Sequence, residues 1–94
     1  MELKDAIGAA LKQLREGLHV AQEELPGSQS YLSGLERGRR MPTLEKIDEL
    51  ATAMGISPLT VVTLVYAILR DQTPRELSVE VSKDLKRAGF TTIT

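Results

Sequence analysis

The 94-residue chain has 12 basic and 13 acidic side chains, a net charge of −1, and 41% hydrophobic but only 3% aromatic residues. One domain with an aliphatic core fits this composition, and the bulk charge does not announce a nucleic-acid partner. The absence of cysteine excludes disulfide scaffolds, thiolate catalysis and cysteine zinc sites, and a single histidine, His19, argues against histidine-centred catalysis.

Leu3, Ile7, Ala10, Leu11, Leu14 and Leu18 form one stripe of a first helix, with Gly17 as its stop. Charges interrupt that stripe throughout, unlike a signal peptide. Gln22-Glu-Glu-Leu25 predicts a second helix of one to two turns, its acidic pair facing the helix dipole and Pro26-Gly27 breaking the chain. Ser28 caps a third helix that buries Leu32 and Leu35 and closes at Gly38. After a loop through Pro42, Thr43 caps a fourth helix that buries Leu44, Ile47, Leu50, Ala51 and Met54 and ends at Gly55. Ser57-Pro58 starts a fifth, running to about Arg70 and apolar nearly all round. Its Val61, Val62, Val65 and Leu69 are the expected interface with a second subunit. The apolar stretch is far shorter than the roughly 20 residues of a membrane span, so the chain reads as soluble and cytoplasmic, with no membrane partner.

Thr73-Pro74 is a further start signal, after which Leu77, Val81, Leu85 and Ala88 keep helical spacing. Leu77, Val79 and Val81 also alternate as in a strand; helix is preferred and strand stays open. Residues 90–94 read as an extended or frayed tail. The division expected is a helical domain at residues 1–70 and a C-terminal extension at 71–94, the latter a possible dimerisation or partner-binding segment.

The stretch from Gln22 to Pro42 carries the chemistry. A short helix, a tight turn and a second helix make a helix-turn-helix, followed at once by Arg37, Arg39 and Arg40. A helix fits the major groove, small and amide side chains at its N-terminal end can meet base edges, and flanking guanidinium groups can hold phosphates. Gln22-Glu-Glu-Leu25, Ser30-Tyr-Leu-Ser33, Leu35-Glu-Arg-Gly-Arg39, Pro42-Thr-Leu, Leu50-Ala and Gly55-Ile-Ser57 stand in the order of a known family. Over about residues 5–69 the chain resembles the Cro and lambda-repressor-like (XRE family) DNA-binding domains.

That resemblance implies an all-α, five-helix lambda-repressor-like domain with a short second helix, the extension adding a sixth. It also implies roles for individual residues. Gln29, Ser30, Ser33 and Gly34 match base-facing positions. Gln22, Arg37, Arg39 and Arg40 match phosphate contacts, with the Tyr31 hydroxyl as a further one. Arg15 and Glu36 match a structural salt bridge. Three departures stand out: the interval from Gln22 to Ser33 is shorter by roughly one helical turn (about 5.4 Å), Ala21 replaces a capping hydroxyl, and Gly34 has no side chain to read a base.

The expected function is a sequence-specific transcriptional regulator, a repressor that binds an inverted-repeat operator in double-stranded DNA as a homodimer. Two alternatives stay open: an antitoxin-type regulator whose residues 71–94 bind a protein partner, and an interaction module that has lost DNA binding. No nucleophile–base pair, phosphate-cradling glycine loop or metal-ligand spacing is found, so no enzyme, cofactor or metal is expected.

Overall fold

The computed structural model describes residues 1–90. Beyond Phe90, the tail expected at residues 90–94 lies outside the described residues. Five α-helices follow one another: α1 Leu3–Gly17, α2 Gln29–Glu36, α3 Leu44–Met54, α4 Pro58–Arg70 and α5 Pro74–Arg87. Between α1 and α2 lies a single 3₁₀ turn, Gln22–Glu24, which is what the expected short second helix amounts to. The described residues contain no strand.

Hydroxyl side chains start four of the helices. Ser28 Oγ accepts from Tyr31 N–H at 3.1 Å, Thr43 Oγ1 from Lys46 N–H at 3.0 Å, and Ser57 Oγ from Leu59 N–H at 3.1 Å. At α5 the bonds are reciprocal, with Thr73 Oγ1 accepting from Glu76 N–H at 3.1 Å and Glu76 Oε1 accepting from Thr73 N–H at 2.9 Å. Those bonds to Thr73 hold the Glu76 carboxyl below its usual pKa. Such caps are worth about 1 kcal/mol each. Where Ala21 lacks a hydroxyl, Glu24 Oε2 accepts the Ala21 N–H at 3.2 Å instead.

Helix α1 ends at Gly17, as expected, but the glycine is not left-handed. The left-handed residue is His19, with φ 58°, rather than Gly17. The Val20 N–H bonds back to Arg15 C=O at 2.9 Å and the His19 N–H to Glu16 C=O at 3.1 Å, which places the reversal two residues after the glycine.

Alternation at Leu77, Val79 and Val81 resolves as helix. Only Leu77 is buried; Val79 and Val81 are exposed on α5. A lone strand there would leave its backbone groups without a partner, whereas the capped helix pairs its own. Because α5 packs along α4, Leu77 seats against that helix.

The core sits where α1 meets α2 and α4, closed from the side by α3. Leu35, Leu50 and Val61 are its largest fully buried side chains, with Ile7, Leu11 and Leu32 around them. Leu44 corrects one expectation, being 72% exposed at the first turn of α3. No helix among the described residues is long and apolar enough to cross a membrane. The packing leaves one side of α2 and the loop after it facing outward.

Candidate nucleic-acid interface

The outward face of α2 rests on a polar platform. Arg15 on α1 reaches Glu36, the last residue of α2, through two parallel bonds: Nε to Oε2 at 2.6 Å and Nη2 to Oε1 at 3.0 Å. Its remaining Nη1 donates to the Val20 carbonyl at 3.1 Å. Both side chains are nearly buried, 13% and 8% exposed. Burial alone would raise the pKa of the Glu36 carboxyl, but hydrogen bonds from Arg15 and Gln22, with the Arg15 charge, bring it below the usual value. The same bond, outweighing desolvation, raises the Arg15 pKa further.

Gln22 extends the platform outward. Its Nε2 donates to Glu36 Oε1 at 3.0 Å, and its Oε1 accepts from Ser33 Oγ at 3.3 Å. The 3₁₀ turn is thus tied to both ends of the last helical turn of α2. The expected partnership of Arg15 with Glu36 is present as a bidentate pair, and Gln22 leans on α2 from the side.

On the outward surface, Gln29 and Ser30 are exposed at the first turn of α2. Ser30, Ser33, Gly34, Arg37, Arg39 and Arg40 together line an open cleft of about 500 Å³. Ser30, Ser33 and Gly34 of the expected base-facing residues thus share this opening with Arg37, Arg39 and Arg40 of the expected phosphate contacts, whereas Gln29, Gln22 and Tyr31 do not line it. Arg15, Arg70 and Arg87 each have a carboxylate partner, but among the described residues none lies within 4.0 Å of Arg37, Arg39 or Arg40. Clustered guanidinium groups without acids repel one another, and a polyanion relieves that repulsion. Gly38, in the left-handed region at φ 74°, lets the loop turn back on α1, where a Cβ would stand 2.6 Å from Asp5 Oδ1.

Tyr31 stands beside this cleft, half-buried against the core. The Arg40 guanidinium lies 5.6 Å and the Lys46 ammonium 5.4 Å from its ring centroid. Lys46 also donates to the Pro26 carbonyl at 3.2 Å, which fastens the Pro26-Gly27 turn to α3.

Residues 27–61 match the helix-turn-helix family model. The chain is 40% identical over 78 residues to the uncharacterised HTH-type transcriptional regulator y4dJ of Sinorhizobium fredii, covering 79% of this chain and 95% of that protein. The chain belongs to the XRE-type helix-turn-helix transcriptional regulators. The regulator also shares the fold of the clp gene regulator ClgR from Corynebacterium glutamicum, with a TM-score of 0.69 at 25% identity over 97% of this chain and 98% of that one. Family membership makes it a DNA-binding protein.

Two sequence expectations need correction in the regulator. Val61 is 0% exposed and Val65 only 3%, so both belong to its own core and cannot line an interface. Val62 and Leu69 are half-buried, packed at the edge of that core. Sequence reading also passed over Gly8, whose absent Cβ would stand 2.5 Å from the Leu35 carbonyl oxygen and 2.8 Å from that of Glu36. A glycine in the middle of an otherwise strong helix was the available signal. It lets the backbone of α1 touch the end of α2.

Proposed function

We propose that the regulator is a repressor that binds an inverted-repeat operator as a homodimer. The observation that carries this reading is the cleft on α2, where Ser30, Ser33 and Gly34 face the same opening as three unpaired arginines. Gln29, through its amide, pairs with adenine, and Ser30 meets a neighbouring base edge. Ser33, with its hydrogen directed to Gln22, accepts from an adenine or cytosine amino group. One of the two Gln22 amide hydrogens goes to Glu36; the other is left for a phosphate oxygen. Tyr31 offers its hydroxyl to the backbone, and the loop arginines supply the charge. Occlusion of the operator needs no surface beyond the one that binds it, hence repression.

The second copy occupies the groove between α4 and α5. Leu59, Val62, Leu77, Val81, Leu85 and Phe90 line this mostly apolar opening of about 420 Å³. Leu59 is 73% exposed, a poor arrangement for a surface that stays in water. Along α5 the charges lean to opposite signs at its two ends: Glu76 and Glu80 against Arg75 in its first half, Lys83, Lys86 and Arg87 against Asp84 in its second. A two-fold axis that pairs two such helices antiparallel sets acid against base on both sides.

Selection of bound sequences from random duplexes tests this reading. The expected result is an inverted repeat with half-sites about 34 Å apart, one turn of B-form DNA. Enrichment of a single, unrepeated half-site would overturn the dimer, and no enrichment at all would overturn specific repression.

A further inference from the structure

Gly34 stands where the resemblance places a third base-facing side chain, yet the position is not open. A Cβ built on it would lie 3.2 Å from both Cδ and Nε of Arg40 and 3.5 Å from its Cγ. The stem of Arg40 therefore lies across the outer face of α2, in the space that a side chain at residue 34 would fill. Its guanidinium then continues to the Tyr31 ring, 5.6 Å from the centroid. Tyr31 is three residues, about 4.5 Å, nearer the N-terminus of the helix than Gly34. The charge of Arg40 is thus carried away from the loop and toward the helix end that enters the groove. Ser30, at that same end, lines the cleft together with Arg40.

We propose that Arg40 is a specificity-determining residue: it reads a guanine edge in the major groove, in the place that Gly34 vacates. This rests on the DNA-binding reading above and moves Arg40 from the phosphates to the bases. An arginine fork matches the O6 and N7 acceptors of guanine, the commonest specific contact that side chains make in the major groove. Packing against Tyr31 orders the long side chain before binding, so less rotamer freedom is lost when it docks. Arg37 and Arg39, exposed and without such a support, remain on the backbone. Gly34 acquires a positive reason: any side chain there displaces Arg40.

The test is titration of the 94-residue chain with the duplex enriched by selection and with its single-base-pair variants. For Arg40→Ala, discrimination at one G·C pair in each half-site falls roughly five- to a hundredfold, with preferences elsewhere kept. Arg40→Lys keeps the charge and loses the fork, so it retains the salt dependence and loses the same preference. Gly34→Gln shifts the preference at that same pair, and combining it with Arg40→Ala adds little. Arg39→Ala, the control, weakens every sequence alike. A circular dichroism spectrum matching the parent confirms that each variant is folded. If Arg40→Ala weakens all sequences equally and makes the salt slope shallower by about 0.9 per subunit, Arg40 is a phosphate contact and the proposal is overturned. If the parent chain shows no titration with any duplex, the proposal falls together with the DNA-binding reading, an outcome distinct from the first.

Discussion

Arg15→Met is expected to lower the unfolding free energy by about 3 kcal/mol and the Tm by more than about 10 °C. The replacement keeps most of the aliphatic packing and removes both bonds to Glu36 together with the one to Val20. Glu36 then keeps a single donor, Gln22, for a carboxylate whose side chain is only 8% exposed. An ionised group in that setting must find water or take up a proton, and either costs stability. Replacing both partners, as Arg15→Met with Glu36→Leu, recovers part of the loss because no charge is left stranded. The pair also makes stability depend on acid. Glu36 has a folded-state pKa lower than in the unfolded chain, so its contribution is complete above the ordinary carboxylate range, roughly pH 4, and disappears as pH falls through the lowered value. Urea denaturation between pH 6 and pH 2 would show it, at about those limits, as a steeper acid loss in the parent than in Glu36→Gln. Parallel curves for the two proteins would contradict this account of the platform.

Gly8→Val is the second large effect, a loss of about 3 kcal/mol, with DNA binding impaired even where the chain stays folded. Its Cβ would collide with the carbonyl oxygens of Leu35 and Glu36, and backbone cannot swing aside as a side chain can. Relief requires α1 and α2 to separate, which pulls Arg15 off Glu36 and shifts α2 as a body. Gly17, in the same helix, has nothing within 4 Å of its would-be Cβ, so Gly17→Ala should stabilise by about 0.5–1 kcal/mol. Thermal melts of the two variants thus move in opposite directions. A neutral Gly8→Val would mean the helices are not held at this distance.

Local chemistry made most of the fold legible before any coordinates. Ser28, Thr43, Ser57 and Thr73 are hydroxyls at positions where only a helix start uses them, and each does cap a helix. Gly38 and Gly55 likewise end α2 and α3 in the left-handed region. What the chain did not disclose depends on three dimensions. Val61 and Val65 share their apolar character with Val62 and Leu69, and only the docking of α4 on α1 and α3 separates the core residues from those at its edge. Gly34 read as a missing contact because its neighbour in space, Arg40, comes from the loop beyond the helix. The reversal after α1 falls on His19 and not on Gly17 because histidine tolerates positive φ often enough to supply it.

The most direct measurement of the central claim is the affinity of the purified chain for duplex DNA across a range of salt concentrations. A dimer that sets Arg37 and Arg39 of each subunit on phosphates predicts a logarithmic slope of about −3 to −4. A flat slope, or no binding in dilute buffer, would contradict the assignment of α2 and its arginine loop as a nucleic-acid surface.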